Sequence, residues 1–133
     1  MALNKAYDKY RESAITTSGP EELTLMLYNG LIRFITQAQR AIADQNVAKA
    51  HDHIIRAQDI IAEFIATLDH KYEISANLEQ LYDYMNRRLV EANLKKDQEI
   101  LAEVLRLATD LRDTWVQAMK IARQGTTDYP QAK

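Results

Sequence analysis

The side chains most able to do chemistry in this sequence are three histidines. His51 and His53 stand two positions apart, and His70 lies further along the chain. A di-metal site inside a helical bundle needs inward glutamates and Glu-x-x-His pairs. None of the three histidines has an acidic residue three positions before it. Residues two apart on a helix point in different directions, so we do not expect His51 and His53 to face one metal.

Phosphotransfer is the remaining histidine chemistry, and the surroundings disfavour it. Such a site needs an exposed histidine near a lysine and a small residue, but Ile54, Ile55 and Arg56 follow His51 and His53. The chain has no cysteine, which excludes thiolate nucleophiles and disulfides. It contains no phosphate-binding glycine loop and no G-x-S-x-G or His-Glu-x-x-His motif. We expect no enzyme, no metal and no cofactor, and phosphotransfer would require a labile phosphohistidine at His51 or His53.

The composition is that of one globular, helical domain. The 133 residues are 47% hydrophobic and 27% charged, and the net charge of −2 gives no general attraction to nucleic acid or to an anionic membrane. Only three glycines and two prolines are present, which favours long helices. We find no apolar run long enough for a membrane span and no signal-peptide pattern at the start, so we expect a cytoplasmic protein.

Helix-breaking residues divide the chain into elements that could position a site. Pro20 suits the first turn of a helix, Asn46 and Asp97 suit N-caps, and Gly125 suits a helix end. The predicted helices cover about 20–43, 47–68, 73–94 and 98–124. Residues 126–133 are expected to form a flexible tail, and residues 1–15 a short amphipathic segment.

The apolar periodicity predicts the fold class. In the second helix the apolar residues recur at alternating spacings of three and four: Val47, Ala50, Ile54, Ala57, Ile61, Phe64 and Leu68. That spacing is typical of a bundle seam. Short connections make sequential helices antiparallel. We therefore predict an all-α, antiparallel up-down four-helix bundle over 20–124, with residues 1–15 as an N-terminal cap segment.

The first long helix has more apolar surface than a bundle needs. A core stripe is expected from Leu23, Leu27, Leu31, Phe34 and Ala38, and a second row beside it consists of Leu25, Tyr28, Ile32 and Ile35. Residues 1–15, with Tyr7 and Tyr10, could cover the second row, and a partner helix could compete for the same surface. Permanent packing on the N-terminal segment, or a dimer interface, would explain the row equally well.

Several blocks of this sequence resemble one family. They are the block from Pro20 to Gly30, the Leu-Tyr-Asp-Tyr-Met run that ends at Met85, Tyr7 and Tyr10 near the start, and Trp115 in the last helix. Together they resemble the flagellar secretion chaperone family (FliS) over about residues 5–120. Asn29 stands where the family often has Asp, and the link at 69–73 lacks a glycine pair that some members carry.

The resemblance implies a function. It implies a cytoplasmic chaperone that binds the disordered C-terminal segment of flagellin, prevents premature polymerisation and delivers the client to the flagellar type III export apparatus. It implies no nucleotide and no metal. Other flagellar regulators are further possible partners, while nucleic acid binding and membrane insertion are not expected.

Helical-wheel geometry supplies the expected flagellin-binding residues. The groove is predicted at Leu25, Tyr28, Ile32 and Ile35, covered in the free state by Tyr7 and Tyr10, with Tyr82, Tyr84 and Arg88 as second choices. The alternative function is a helical adaptor or regulator that uses the same apolar face for self-association or for another partner.

Overall fold

The structure, a computed structural model, describes residues 20–132, with side chains described for residues 20–124. Its helices are α1 (Pro20–Ala43), α2 (Val47–Ala66), α3 (Ile74–Lys95) and α4 (Gln98–Ala132). These residues contain no strand. The expected cap segment at 1–15, with Tyr7 and Tyr10, lies outside the described residues.

Side-chain caps set where two of the helices begin. The Asn46 side chain accepts a hydrogen bond from the Lys49 backbone N–H at 3.1 Å. The Asp97 carboxylate accepts from the backbone N–H groups of Glu99 and Ile100 at 2.8 and 3.3 Å. Such bonds satisfy amides that have no partner inside the helix. Both predicted N-caps are therefore confirmed.

The end of α4 differs from the sequence prediction. The sequence predicts a helix end at Gly125, whereas α4 continues to Ala132. A glycine ends a helix by adopting the left-handed conformation, and no described glycine has a positive φ. Glycine within a helix costs only about 1 kcal/mol relative to alanine, so Gly125 alone does not stop this one.

The four helices form the predicted antiparallel bundle. Each helix packs against two neighbours, in the cyclic order α1, α2, α3, α4 and back to α1. The core lies between them and includes five of the seven residues of the predicted α2 seam, Ala50, Ile54, Ala57, Ile61 and Phe64, all buried. The seam prediction is wrong for Val47, which is exposed in the first turn of α2, and Leu68 is half-buried beyond the end of that helix. Over the described residues, no helix is long and apolar enough to cross a membrane.

One glycine allows a close approach of two helices. Gly30 is buried on the side of α1 that faces α2. A Cβ atom added there would lie 3.3 Å from Ile60 Cδ1. The missing side chain therefore lets α1 and α2 pack closely at this point.

Helix α1 is rotated relative to the predicted orientation. Tyr28 and Ile35, predicted for the outer row, are 5% and 0% exposed. Phe34, predicted for the core stripe, is only half-buried, and so are Leu25 and Ile32. By the 100° step of an ideal helix, the mean direction of the buried α1 residues is displaced only about 20° toward the second row, and the buried arc is wider than predicted. The predicted division of α1 is therefore wrong for Tyr28 and Ile35, because both rows are apolar and either can face inward.

Candidate partner-binding surface

The outer side of the contact between α1 and α4 carries one row of side chains from each helix. The α1 row is Leu25, Asn29, Ile32 and Thr36, and the α4 row is Leu105, Thr109, Arg112 and Val116. Members of each row are four, three and four residues apart, so each row follows one helix face. The rows meet where Arg112 Nη1 donates to Asn29 Oδ1 at 3.3 Å. We call these eight residues the α1–α4 groove.

The apolar members of the α1–α4 groove are only partly shielded. Leu25, Ile32, Leu105 and Val116 are half-buried, while Asn29 and Thr36 are exposed. A half-buried apolar row on a helix pair is the kind of surface on which an amphipathic segment can lay its own apolar face.

Side chain to backbone bonds hold the two helices that form this groove. Trp115 Nε1 donates to the Glu21 carbonyl at 3.2 Å, near the start of α1. Gln98 Nε2 donates to the Gln39 carbonyl at 2.7 Å, near the other end. These two bonds therefore join α1 and α4 near both ends of the groove.

A buried aromatic cluster lies on the side of α1 that faces the core of the bundle. The hydroxyl oxygens of Tyr28 and Tyr82 are 2.8 Å apart. The Phe64 ring contacts both phenol rings, with centroids 4.6 Å from Tyr28 and 5.3 Å from Tyr82. The hydroxyl pair joins α1 to α3, two helices that are diagonal in the bundle. Tyr28 and Tyr82 are thus core residues, and a partner reaches them only if the helices separate.

The Tyr28 and Tyr82 side chains are neutral. Burial raises the pKa of both phenols, because a phenolate would have to be desolvated in the core. The cluster therefore contributes packing and one hydrogen bond, with no charge, at neutral pH.

Tyr84 and Arg88 lie in a different place, at the contact between α3 and α4. The Tyr84 hydroxyl donates to one carboxylate oxygen of Glu103, and Arg88 Nε donates to the other at 2.8 Å. Arg88 Nη1 also donates to Glu91 at 2.6 Å. The Tyr84 hydroxyl, followed by the Arg88 guanidinium, holds the pKa of Glu103 below its usual value. Both side chains are thus already engaged with an ionised carboxylate of this chain.

The structure separates the predicted site residues into several groups. Leu25 and Ile32 lie in the α1–α4 groove, whereas Tyr28 and Ile35, the other two residues of the predicted second row, are in the core. The α4 row was missed by the sequence reasoning. The buried face of α4 includes Leu101, Val104 and Ala108. Leu105 and Val116 are apolar residues to one side of that face, and this offset is the signal that could have found them.

The fold and this surface define the class of protein. It is an antiparallel four-helix bundle with a half-buried apolar groove along one side. Within the described residues, no group of three or more His, Asp or Glu side chains could hold a metal ion.

Comparison with known proteins identifies the family. The family model described as flagellar protein FliS matches residues 3–122, so the chain belongs to the FliS family. The sequence resemblance is confirmed. The flagellar secretion chaperone FliS of Bacillus subtilis (strain 168) is 44% identical over 124 residues, which cover 93% of each chain. The protein of the same name from Salmonella typhimurium (strain LT2) is 34% identical over 117 residues, covering 85% of this chain and 87% of the relative.

Proposed function

We propose that this protein is a cytoplasmic, non-enzymatic export chaperone for flagellin. It binds the disordered C-terminal segment of flagellin, prevents premature polymerisation and delivers the client to the flagellar type III export apparatus. The observation that carries the proposal is the family match over residues 3–122, together with relatives named flagellar secretion chaperones. The half-buried apolar groove adds physical support.

The mechanism rests on shielding apolar surface that would otherwise self-assemble. A disordered segment that folds on its partner buries about 1,000–3,000 Å² of surface. Ordering the segment reduces the favourable binding free energy by several kcal/mol. The resulting affinity is finite although the contact area is large. Such a complex keeps the client monomeric and still lets it leave for export.

Leu25 and Ile32 are the residues proposed to contact the client directly. Both are half-buried in the α1–α4 groove, so a client can cover them without unfolding the bundle. Tyr28 and Ile35 support the groove from the core side of the same helix. Tyr82 is joined to Tyr28 by the hydroxyl pair and shares that supporting role.

Two pairs of residues remain as secondary proposals. Tyr84 and Arg88 can serve a client if a client group replaces Glu103, their present partner. Tyr7 and Tyr10 are proposed to cover the same face of α1 in the free protein. Each of these ideas is separable from the role of Leu25 and Ile32.

Two substitutions on the same helix test the groove. Ile32→Asp places a charge at a half-buried position and should leave the bundle folded while weakening binding of the flagellin C-terminal peptide about tenfold or more. Ile35→Asp buries a charge at a fully enclosed position and should unfold the protein. Titration calorimetry measures the first effect, and circular dichroism measures the second.

The wild-type protein provides the reference outcome. Saturable one-to-one binding with gained helicity and a negative heat-capacity change is expected. No binding at high micromolar concentration would refute the flagellin assignment. If a folded Ile32→Asp variant bound the peptide with wild-type affinity, the α1–α4 groove would not be the binding site, but the flagellin assignment would stand. A concentration-dependent dimer that Ile32→Asp abolishes would favour the adaptor that binds itself.

A further inference from the structure

A second surface, on the opposite side of α1, combines cations with an aromatic ring. The Cζ atoms of Arg33 and Arg56 lie 5.5 and 5.6 Å from the centre of the Phe34 ring. The His53 ring stacks on the same phenyl ring, with centroids 6.3 Å apart and an interplanar angle of 24°. We call these four residues the Phe34 cluster. It spans the contact between α1 and α2.

Two buried nitrogen atoms of this cluster have no hydrogen-bond partner among the described residues. They are Arg56 Nε and His53 Nδ1. Arg33 and Arg56 form no ion pair within the part of the chain that the structure describes. Buried donors in proteins are nearly always satisfied. The two guanidinium groups on this ring therefore have no carboxylate partner among the described residues, although Arg56 Nε itself is enclosed.

Other arginines of the bundle show what the missing partner would be. Arg87, Arg88 and Arg112 each pair with a carboxylate of this chain at 3.2 Å or less. Guanidinium groups bind carboxylates with two parallel hydrogen bonds, and stacking on an aromatic ring leaves their in-plane donors available. In the Phe34 cluster both guanidinium groups lie over the phenyl ring, and no carboxylate of the described residues pairs with them.

The remaining charges on this side favour a carboxylate over a polyanion. Lys49 and Asp52 on α2 act on His53 with opposite signs. Asp52 and Asp59 are exposed four residues before and three residues after Arg56, and neither forms an ion pair with it in the described part of the chain. Those two carboxylates, and the net charge of −2, oppose a nucleic acid or an anionic membrane. A partner with a single acidic side chain beside an apolar contact would be repelled less by these carboxylates than a nucleic acid or an anionic membrane would be. Burial, followed by the Arg56 cation, lowers the pKa of His53, so its ring is neutral at neutral pH and adds no further positive charge.

We propose that the Phe34 cluster is a docking site for an acidic, amphipathic segment of a second protein partner. An Asp or Glu carboxylate of that segment binds the guanidinium groups of Arg33 and Arg56, and its apolar face contacts the exposed part of the Phe34 ring. Phe34 and Ile32 are two residues apart, so they point in nearly opposite directions around α1. The site is therefore distinct from the α1–α4 groove, and both surfaces can be occupied at once.

A pair of designed peptides tests the site on the full chain. One is an amphipathic helix with glutamates along one side and leucines beside them, and the other has every glutamate replaced by glutamine. The glutamate peptide should bind about tenfold more tightly and shift the Nε–Hε resonances of Arg33 and Arg56. Arg56→Gln should remove that preference. The matched control is Arg106→Gln, an exposed arginine on α4 without an ion pair among the described residues, which should change nothing. Arg33→Gln, at an exposed position, provides a second variant that should fold.

Several results would overturn the proposal. Equal binding of the two peptides would show that no carboxylate is recognised. Equal loss in the Arg106→Gln variant, or equal resonance shifts from inorganic phosphate, would show general charge attraction. The flagellin C-terminal peptide should bind the Arg56→Gln variant like the wild type, and a matching loss would show that the cluster belongs to the flagellin site. Failure of flagellin to bind the wild-type protein would leave the peptide comparison intact.

Discussion

At the scale of single residues, loss of either hydroxyl of the Tyr28–Tyr82 pair should destabilise the folded protein. The two oxygens are 2.8 Å apart and enclosed by the core. A buried hydroxyl that loses its partner retains its desolvation cost without compensation. Removing both hydroxyls avoids that cost, because two phenyl rings can fill almost the same volume.

This asymmetry predicts a non-additive pair of mutations. Tyr82→Phe and Tyr28→Phe should each lower the free energy of unfolding by about 1–3 kcal/mol, whereas the double variant should lose less than the sum of the two. Urea denaturation of the four proteins measures the coupling. Strictly additive losses would show that the two hydroxyls do not depend on each other in the folded state.

Glu103 predicts part of the acid sensitivity of the protein. Its pKa is lowered from a usual value of 4.5 by the Tyr84 hydroxyl and the Arg88 guanidinium. Its contribution to stability is therefore complete above the usual pKa and is lost as the pH falls through the lower folded value. Glu103→Gln should lose less stability than the wild type between pH 7 and pH 3, as measured by denaturation at each pH. Glu79→Gln, at an exposed position on α3, serves as the control and should retain the wild-type acid sensitivity.

At the scale of helices, the N-caps could be predicted from the sequence, whereas the rotation of α1 about its own axis could not. Asn46 and Asp97 cap their helices by bonds to amides within three residues, so the sequence alone contains the relevant partners. The orientation of α1 depends on which of two apolar rows packs better against α2 and α4. The inward orientation of Tyr28 is stabilised by the hydrogen bond between its hydroxyl and that of Tyr82 on α3, which is 54 positions away in the sequence. No periodicity within α1 contains that information.

The close approach of α1 and α2 at Gly30 predicts a size limit. An alanine Cβ would lie 3.3 Å from Ile60 Cδ1, the flexible end of a side chain, and a shift of a few tenths of an ångström relieves the contact. Alanine also gains roughly 0.5–1 kcal/mol of helix propensity over glycine. We expect Gly30→Ala to lie within about 0.5 kcal/mol of the wild type, since the two effects oppose each other.

A larger side chain at the same position provides the contrast. Gly30→Leu cannot be accommodated by moving one methyl group and should lower the free energy of unfolding by about 1–3 kcal/mol. Thermal or urea unfolding compares both variants. A leucine that is tolerated as well as alanine would contradict the close helix contact.

At the scale of the whole molecule, the candidate groove belongs to no single segment of the sequence. Leu25 and Ile32 on α1 could be singled out from the sequence, but Leu105 and Val116 join them only after the chain has passed through two further helices. The bridge from Arg112 to Asn29 spans 83 positions. The bundle class follows from periodicity and short connections, whereas the pairing of outer rows follows from how the helices rotate as they pack. Sequence reasoning therefore found half of this surface.

The proposed chaperone function makes a prediction for the entire bundle. A ligand that binds only the folded state stabilises it by mass action, so a flagellin C-terminal peptide at one hundred times its Kd should add about 2.7 kcal/mol. For a domain of this size, that gain should raise the Tm by about 10 °C. Differential scanning fluorimetry or calorimetry across a peptide concentration series measures the shift. The Ile32→Asp variant is the internal control, because tenfold weaker binding at the same peptide concentration should reduce its Tm shift to about half or less. A Tm that does not change with peptide concentration would contradict client binding to the folded bundle. Equal Tm shifts in the wild type and in Ile32→Asp would place the client on a surface other than the α1–α4 groove.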